Sequence, residues 1–408
     1  MTPSSPENKK TDSSIYIEEK KENETSSPHE KTTSKKDPKK SESITGWIVL
    51  ACCVLVLCLC GYFYLQSPNR AGNEIKSRSI TLTDVGFDTP VTFKTTGTEK
   101  DFNKYVDIIE STYQECNELF DAFHTYPDKV SLKEVNDTPR NTPVEVDPKV
   151  IEVLQDSLKA HGVNSKFDVS QGKLTMLWKQ AFGAQTPALP DAQAIEAAKN
   201  PDSMDAVVVK DNTITLTNEA AALDFGAIAK GYTTQLAADR LTEAGLEYGF
   251  LNAGGNVILI GEKPEDEDWV VGIQNPDEPN SLLVYRNRKP TCLVTSGDYQ
   301  RYMEVDGVRY AHIVDPDTGY PAANMRSVTV IHEDSAYCDA MSTALFCTSV
   351  EEGQKICEEF DLDAIWIVDK GTVDLVPDLS TDVFDIYITD GLKDQVKLKN
   401  QIEPKQAS

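Results

Sequence analysis

Apolar residues recur at helical spacing in several stretches of the chain. In residues 101–123 they lie three and four positions apart, which predicts a helix with one buried face. A second helix is predicted from Asp147, where Pro148 and a periodic apolar run follow. A third is predicted over residues 226–245, with Gly245 at its end. The residues predicted to face the core are Phe102, Val106, Ile109, Tyr113, Cys116, Phe120, Phe123, Val150, Leu154, Leu158, Ile228, Tyr232, Leu236 and Leu241.

Shorter apolar runs bounded by turn residues predict strands. The run AVVVKDNTITLT indicates two strands joined by Asp211 and Asn212, and GFLNAGGNVILIG indicates a further strand-rich segment. Because helices and strands mix without a regular strand–helix–strand order, we expect an α+β fold of mixed sheets with packed helices.

The dipeptide Asp306-Gly307 predicts a two-residue hairpin turn. Counting outward from this turn, Arg301 pairs with His312, and both side chains share a face with apolar neighbours. A cation and an imidazole at the end of an apolar face indicate that this end of the hairpin lies at the edge of a pocket. A solvated hairpin end is the alternative.

The most apolar stretch is ITGWIVLACCVLVLCLCGYFYL, residues 44–65. It carries no charge and has the roughly 20 residues that a helix needs to cross a bilayer. A buried core helix and a lipoprotein cleavage site at Cys60 are alternatives, but the small residue expected before that cysteine is missing. Lysines cluster on the N-terminal side, which predicts a single-pass protein of the cell membrane with a cytoplasmic N-terminus and an extracytoplasmic domain. These lysines are Lys31, Lys35, Lys36, Lys39 and Lys40.

Composition divides the rest of the chain. Residues 1–43 are rich in Ser, Thr, Lys and Glu and nearly lack apolar side chains, so we expect a disordered cytoplasmic tail. We expect a linker over residues 66–80, one folded domain over 81–390 and a C-terminal tail over 391–408. The tail before residue 44 has balanced charges, so the net charge of −26 belongs to the sequence after it. Such acidity argues against a nucleic-acid partner.

Four of the nine cysteines lie within the apolar span. The other five form no C-x-x-C pair and are odd in number, so neither a disulfide framework nor a zinc site is indicated. We expect buried free thiols at Cys116, Cys292, Cys338, Cys347 and Cys357.

The segment LDFGAIAKGYTTQLAADRL, residues 223–241, combines an acidic residue, a glycine and a lysine at a predicted helix start. Free backbone N–H groups and partial positive charge at a helix N-terminus favour a phosphate, and Lys230 adds a full charge. Gly226 would let a ligand approach the backbone. Asp224 would accept a hydrogen bond from a ring N–H or sugar hydroxyl. The alternative is a plain aspartate helix cap.

The segment DSAYCDAMSTALFCTS predicts another helix, with Asp339 and Thr343 one turn apart on the same face. A carboxylate and a hydroxyl so placed suit a hard cation such as Mg²⁺, which commonly takes few protein carboxylates and leaves room for phosphates. A polar stripe, or a Thr343 hydroxyl bonded back to a helix carbonyl, is the alternative.

Taken together, the blocks LDFGAIAKGY, LNAGGNVILIG, TSGDYQRY, YAHIVDPDTGYP and CDAMSTALF, in that order, resemble the ApbE-type flavin transferases, also called FAD:protein FMN transferases. VGFDTPVTF and FDVSQGKLTMLW are similar to earlier blocks of that family. The resemblance covers residues 80–385 and implies an ApbE-like, T-fold-related domain.

The resemblance also implies a set of site residues. Two departures from the family pattern are Phe87, where many members have Met, and Lys166, where a small residue is common. The residues implied at the flavin nucleotide are Phe87, Tyr126, Lys166, Phe167, Asp168, Asp224, Lys230 and His312. The implied Mg²⁺ ligands are the Ala227 main-chain oxygen, Asp339 and Thr343.

The implied reaction is phosphoryl transfer. A Thr or Ser hydroxyl of an extracytoplasmic acceptor protein attacks the FMN-side phosphorus of FAD, and AMP leaves. Such a reaction needs neutralised charge and aligned reactants. We expect Asp339 to act through Mg²⁺, Lys230 or Arg301 to balance phosphate charge, and His312 or a nearby carboxylate to take the proton. A Mg²⁺-dependent FAD pyrophosphatase and a non-enzymatic flavin-binding surface protein remain alternatives.

Overall fold

The computed structural model describes residues 74–323 and 325–402, together with Leu55 and the backbone of Ile15–Ile17. The predicted membrane span over residues 44–65 therefore lies outside the described residues, apart from Leu55. Among the helices in the described part of the chain, none has both the length and the apolar character that a bilayer crossing requires.

The described residues form short strands and helices in alternating groups. The strands are β1 (Ile15–Ile17), β2 (Lys76–Leu82), β3 (Val91–Gly97), β4 (Val144–Glu145), β5 (Val207–Lys210), β6 (Thr213–Leu216), β7 (Gly249–Ala253), β8 (Asn256–Ile260), β9 (Trp269–Gln274), β10 (Ser281–Asn287), β11 (Thr291–Gly297), β12 (Tyr302–Val305), β13 (Val308–Ala311), β14 (Ser327–His332), β15 (Asp363–Asp369), β16 (Leu379–Ser380), β17 (Phe384–Ile388) and β18 (Val396–Leu398). The α-helices are α1 (Glu99–Leu119), α2 (Leu132–Asp137), α3 (Pro148–Val163), α4 (Gly172–Phe182), α5 (Ala192–Ala198), α6 (Ala229–Glu243), α7 (Ser335–Phe346), α8 (Val350–Phe360) and α9 (Lys399–Ile402). Short 3₁₀ turns lie at Ser203–Ala206, Pro264–Asp266 and Asp390–Leu392.

A nine-stranded sheet in the order β16-β17-β15-β14-β11-β8-β7-β3-β2 forms the centre of the domain. Every pair in it is antiparallel. All residues of β7 and β8 are buried. Because successive side chains point to opposite faces, a strand that is buried along its whole length must be covered on both faces.

Helices cover one face of this sheet. Helix α6 contacts β7, β8, α1 and α7, and α7 also contacts β11 and β14. Their buried side chains belong to one large apolar cluster that includes Ile109, Leu241 and Trp366. This arrangement brings the first turns of α6 and α7 together at the centre of the helical layer.

A small sheet in the order β1-β9-β10-β18 covers the other face. Val271, Ile273 and Leu283 from it pack against Ile365 and Ile386 from the large sheet in a second, separate cluster. Strand β18 and the following helix α9 extend regular structure past residue 390, and β2 begins before residue 81. Regular structure therefore exceeds the predicted domain bounds at both ends.

The predicted elements are largely confirmed. Asp147 caps α3 by accepting a hydrogen bond from the Lys149 N–H at 2.9 Å, and the Asp211-Asn212 turn joins β5 to β6. Two positions differ. Leu158 on α3 is 38% exposed, because α3 is covered on only part of its surface. Helix α1 ends at Leu119, so Phe123 lies in the following loop.

Three residues within the predicted tail have a described backbone, and they form strand β1. The backbone of Ile15–Ile17 pairs antiparallel with Val271–Ile273 of β9. The physical reason is that β9 otherwise presents an unpaired edge, whose free N–H and C=O groups accept an additional strand. The rest of the predicted tail lies outside the described residues.

Candidate functional site

The turn before α6 is built around Asp224. One carboxylate oxygen of Asp224 accepts a hydrogen bond from the Gly226 N–H at 2.8 Å, and the other accepts one from the Thr175 hydroxyl at 2.8 Å. The N-cap position of α6 is Ile228, not Asp224. Asp224 therefore stabilises the turn ahead of the helix rather than capping the helix, and its half-buried carboxylate keeps a fixed orientation.

Asp339 of α7 meets the first turn of α6. Its carboxylate is nearly fully buried; Oδ2 accepts a hydrogen bond from the Gly231 N–H at 2.8 Å, and Oδ1 lies 3.6 Å from the Lys230 ammonium. The Gly231 amide is one of the N–H groups that have no partner within a helix at its N-terminus. A buried carboxylate is compensated here by a helix N-terminus and a lysine.

Gly231 is required for this approach. A Cβ atom at this position would lie 2.3 Å from the Ser335 carbonyl oxygen and 2.6 Å from Asp339 Cβ. Both distances are shorter than any normal contact, so only glycine lets α6 and α7 pack this closely. The sequence patterns identified Lys230 but gave no signal for its neighbour Gly231.

Three candidate cation-binding oxygens come from Ala227, which lies two residues before α6, and from Asp339 and Thr343 of α7. Because the Gly231 N–H is bound to Asp339, it does not reach back to the Ala227 carbonyl, which accepts no backbone hydrogen bond from the described residues. Thr343 lies one turn after Asp339 and is half-buried. Its hydroxyl donates to no helix carbonyl among the described residues, unlike that of Thr348, which bonds to the Ala344 oxygen at 2.8 Å.

The chemistry of these donors fits a hard divalent cation. A carboxylate, a hydroxyl and a main-chain carbonyl are the oxygen ligands that Mg²⁺ prefers, and one carboxylate leaves positions for water or phosphate. Nowhere in the described part of the chain, this site included, do three His, Cys, Asp or Glu side chains come together in a way that could hold a metal.

The predicted hairpin register is confirmed. Val305 pairs with Val308 and Met303 pairs with Tyr310 across β12 and β13, and the two turn residues adopt positive φ values. At the base of the hairpin, the His312 N–H donates to the Arg301 carbonyl oxygen at 3.0 Å. The hairpin thus brings Arg301 and His312 side by side.

His312 has a defined tautomer. Its Nδ1 lies 3.1 Å from the same Arg301 oxygen, and since a carbonyl can only accept, Nδ1 carries the hydrogen and Nε2 keeps a free lone pair. Burial among protein atoms, together with the positive charges of Arg301 and Lys230, lowers the pKa of His312 to about 4. The imidazole is therefore neutral at pH 7 and able to accept a proton at Nε2.

A loop with left-handed backbone lies next to Arg301. The φ angles of Asp84, Phe87 and Asp88 are 64°, 56° and 48°, which residues other than glycine rarely adopt. The Phe87 N–H donates to Asn117 Oδ1 at 2.8 Å, and Arg301 Nη2 lies 3.5 Å from the Asp88 carbonyl oxygen. Phe87 is thereby held near the hairpin base.

Lys166 is neutralised within the protein. Its ammonium lies 2.8 Å from carboxylate oxygens of both Asp315 and Asp317. Burial acts to lower the pKa of Lys166, but these hydrogen bonds raise it above the usual value. Lys166 therefore secures the DPDTG turn, and its charge is already balanced before any phosphate binds.

Phe167 and Asp168 also point into the protein. The Phe167 side chain is 1% exposed, and its carbonyl oxygen accepts a hydrogen bond from His161 at 2.7 Å. Asp168 accepts four hydrogen bonds, from the Ser170 N–H and hydroxyl, the Gln171 amide and the Ser203 hydroxyl. The structure uses both residues internally, so their contact with a nucleotide stays a prediction.

Tyr126 lies in the loop after α1. Its hydroxyl donates to Asp121 Oδ2 at 2.8 Å, and burial together with that carboxylate raises the pKa of Tyr126 to about 12. The phenol is therefore fully protonated at neutral pH and anchored to its own loop.

A cavity of about 400 Å³ opens beside Asp224. It has the size of a small-molecule site. Basic side chains line it beside apolar ones, and nothing in the sequence patterns had brought these residues together. The lining residues are Ala122, Phe123, Lys133, Asn136, Asp137, Arg140, Gly172, Lys173, Met176, Ala222, Leu223 and Asp224.

All five cysteines of the domain are free thiols, as predicted. Four are buried and Cys347 is half-buried. Burial raises the pKa of the Cys116 thiol to about 11 and that of Cys357 to about 12, so neither is a thiolate at neutral pH.

Comparison with known proteins gives a consistent result. Residues 87–366 match the sequence model of the ApbE family. An FAD:protein FMN transferase of Klebsiella pneumoniae is 35% identical over 266 residues, which are 62% of this chain and 81% of that protein. One of Treponema pallidum is 31% identical over 262 residues, covering 59% of this chain and 71% of the relative.

Solved structures show the same fold. The crystal structure of the ApbE protein from Thermotoga maritima superposes with a TM-score of 0.66 at 27% identity, covering 78% of this chain and 99% of that one. The apo form of the Pseudomonas stutzeri flavinyl transferase ApbE gives a TM-score of 0.65 at 21% identity, covering 79% of this chain and 97% of that one. At that identity the second match shows the fold alone.

Proposed function

The chain belongs to the ApbE family, and on that basis we propose that it is a Mg²⁺-dependent FAD:protein FMN transferase. The substrates are FAD and a Thr or Ser hydroxyl of an acceptor protein outside the cytoplasm, and the products are AMP and a flavinylated acceptor. The observation that supports this best is the Asp339 carboxylate held against the first turn of α6, with Oδ2 bonded to the Gly231 N–H and Oδ1 3.6 Å from the Lys230 ammonium.

The oxygens of Ala227, Asp339 and Thr343 would hold the cation. When bound, Mg²⁺ supplies Lewis-acid stabilisation for the diphosphate and orients it. Asp339 offers mainly Oδ1 to the cation, because Oδ2 is engaged by the Gly231 N–H. The Gly231 N–H is already bound to Asp339, so the cation and Lys230 would together balance the charges of Asp339 and of the phosphates, which matters in a chain with a net charge of −26.

His312 is the proton acceptor in this proposal. The acceptor hydroxyl oxygen forms a bond to the FMN-side phosphorus while the bond from that phosphorus to the bridging oxygen breaks. The hydroxyl proton moves to Nε2 of His312, and the bridging oxygen leaves with AMP. Arg301 is exposed beside His312 and offers a further positive charge to the phosphates.

The cavity beside Asp224 would take one ring system of FAD. Its apolar lining suits a flat ring, and the Asp224 carboxylate would accept a hydrogen bond from a ring N–H or a sugar hydroxyl. Phe87 and Tyr126 are the other proposed contacts with the dinucleotide.

The test measures AMP release and acceptor mass together. The full-length protein in detergent is mixed with FAD, Mg²⁺ and a candidate acceptor. Transfer predicts AMP and an acceptor that gains the mass of FMN. Free FMN with an unmodified acceptor would instead identify a pyrophosphatase, and binding without AMP release would identify a flavin-binding protein.

We also propose that residues 44–65 anchor the protein in the cell membrane, with the domain on the extracytoplasmic side. The support is the uncharged apolar sequence of that segment and the lysines that precede it. Ile15–Ile17 can pair with β9 only where both lie on the same side of the membrane, so the proposed orientation requires this pair of strands to be open in the anchored protein. Protease added to intact cells decides this: digestion of the domain but not of the N-terminal segment supports the anchor, and digestion of both contradicts the proposed orientation.

A further inference from the structure

Helix α2 holds the backbone that leads into Asp224. The Asn136 Nδ2 donates to the Leu223 carbonyl oxygen at 2.8 Å, and Asn136 Oδ1 accepts from the Leu223 N–H at 2.7 Å. Leu223 is fully buried, so water cannot replace these bonds. A side-chain amide is the group that can donate and accept at once in this geometry.

The atoms after Leu223 are fixed as well. The Asp224 N–H donates to the Val169 carbonyl oxygen at 2.9 Å, and the carboxylate oxygens accept from Gly226 and Thr175. The backbone N–H and both carboxylate oxygens of Asp224 are thus each held by a named contact. Asn136 acts on the backbone, because it holds Leu223 in place and so determines where the Asp224 backbone begins.

Helix α2 is itself rigid enough to serve this purpose. Ser131 and Glu134 form a reciprocal capping box at its start, and the Ser131 hydroxyl donates to the His124 carbonyl oxygen at 2.8 Å. At its C-terminal side, Arg140 donates to the carbonyl oxygens of Ala221 at 3.0 Å and of Asn136 at 3.2 Å. The segment before Asp224 is therefore held at two points, by Asn136 of α2 and by Arg140 just after it, and both residues line the cavity.

From this geometry we infer that Asn136 is a positioning residue for FAD binding, which acts through Asp224. The inference rests on the proposed function, in which Asp224 accepts a hydrogen bond from FAD. A hydrogen-bond acceptor displaced by a fraction of an ångström loses much of its interaction with a bound ligand, because hydrogen bonds weaken steeply away from their preferred geometry. Asn136 contributes to affinity in this way without a contact of its own with the nucleotide.

A double-mutant cycle tests the inference. FAD dissociation constants are measured by flavin fluorescence for the full-length protein in detergent, for Asn136→Ala, for Asp224→Ala and for the double variant. Each single substitution is expected to weaken FAD binding about tenfold, and the double variant is expected to bind no more weakly than Asp224→Ala. Effects that multiply to about a hundredfold would show that Asn136 acts independently of Asp224 and would overturn the inference.

Two further variants separate positioning from general stability. Asn212→Ala makes the same chemical change at an exposed turn where no side-chain hydrogen bond is found among the described residues, and it should leave FAD affinity and the unfolding temperature unchanged. Thr175→Val removes the second restraint on Asp224 and should weaken FAD binding, whereas Thr175→Ser keeps the hydroxyl and should restore it. If Asn136→Ala does not fold, Asn136→Asp replaces it in the cycle, because it retains the acceptor for the Leu223 N–H.

The outcomes distinguish this inference from the proposed function. If the wild-type protein releases AMP and flavinylates an acceptor while the two substitutions act independently, only the role of Asn136 is wrong. If Asp224→Ala leaves FAD affinity unchanged, both the role of Asn136 and the assignment of Asp224 fail. If the wild-type protein neither binds FAD nor releases AMP, the proposed function fails and the inference with it.

Discussion

The two faces of the central sheet carry different kinds of interior. On the β9–β10–β18 side, apolar side chains such as Leu283 and Ile386 pack around the buried hydroxyls of Thr295 and Thr329, which bond to each other at 2.8 Å. On the helical side, the buried polar groups include a carboxylate, that of Asp339, which the Gly231 N–H and the nearby Lys230 ammonium compensate. The same strands contribute to both faces, because their side chains alternate.

The difference reflects two physical requirements. Apolar burial is not directional and tolerates small shifts, so it suits a face whose task is stability. A buried carboxylate or hydroxyl requires a partner in a defined geometry, and each partner restricts where the helices can lie. The candidate site therefore lies on the helical face, where the helices can shift little because each buried polar group must keep its partner. Substitutions there should affect function first, and substitutions on the other face should affect stability first.

The largest expected effect is on catalysis. Asp339→Ala should reduce AMP release by about 10³-fold, because it removes the carboxylate from the proposed cation site. Unfolding should stay cooperative when followed by circular dichroism. The matched control is Asp385→Asn. Asp385 is a buried aspartate of β17 that accepts hydrogen bonds from the Gly371 N–H and the Ser380 hydroxyl, and its substitution should leave AMP release unchanged. Full activity in Asp339→Ala would remove this residue from the metal site.

The apolar face should give the opposite result. Ile386→Ala, at a fully buried position, should lower the free energy of unfolding by about 2–5 kcal/mol through lost burial and a cavity. The FAD dissociation constant at a temperature where the variant is folded should not change. Chemical denaturation and flavin fluorescence measure the two quantities. A large change in FAD affinity would contradict the division between the two faces.

Close packing of α6 on α7 should be sensitive to a single methyl group. Gly231→Ala should cost about 1–3 kcal/mol of stability, since its Cβ would overlap the Ser335 carbonyl oxygen and Asp339. It should also lower AMP release, because the helices separate at the proposed cation site. Gly162→Ala is the matched control: a Cβ there meets nothing within 4 Å, and alanine in the last turn of α3 should stabilise by about 0.4–1 kcal/mol through a lower entropy of the unfolded chain. Equal effects of both variants would argue against a specific contact at Gly231.

The smallest expected effect is a pH dependence from His312. Its pKa is lowered from 6.5 to about 4, so the unfolded state takes up a proton at a higher pH than the native state. The native state binds fewer protons in this range, and the free energy of unfolding should therefore fall as the pH drops from about 6.5 to about 4.

Urea unfolding at several pH values measures this contribution of His312. The comparison is with His312→Gln, in which the decrease of the unfolding free energy that comes from His312 protonation between pH 6.5 and 4 should disappear. Above pH 6 the protonation of His312 should not limit AMP release. If the free energy of unfolding depends on pH in the same way in both proteins, the imidazole is not held neutral by its surroundings.

Several features of this protein follow from local sequence alone. The helix spacing of apolar residues, the Asp147-Pro148 helix start and the Asp306-Gly307 turn depend on interactions within a few residues, and the structure confirms them. The positions of Asp339 and Thr343 on one helix face follow from helix geometry in the same way. Ordered sequence blocks were enough to indicate the family.

Only the tertiary structure decided which of these groups meet. Asp339 lies 108 residues after Gly231, and Asn136 lies 87 residues before Leu223. The spacing of apolar residues along the sequence cannot predict such pairs, because they depend on how helices pack over a sheet. The same holds for Lys166, which the family resemblance places at the nucleotide and the fold pairs with Asp315 and Asp317. Local sequence determines which chemical groups are available, and packing determines which of them already have partners inside the protein.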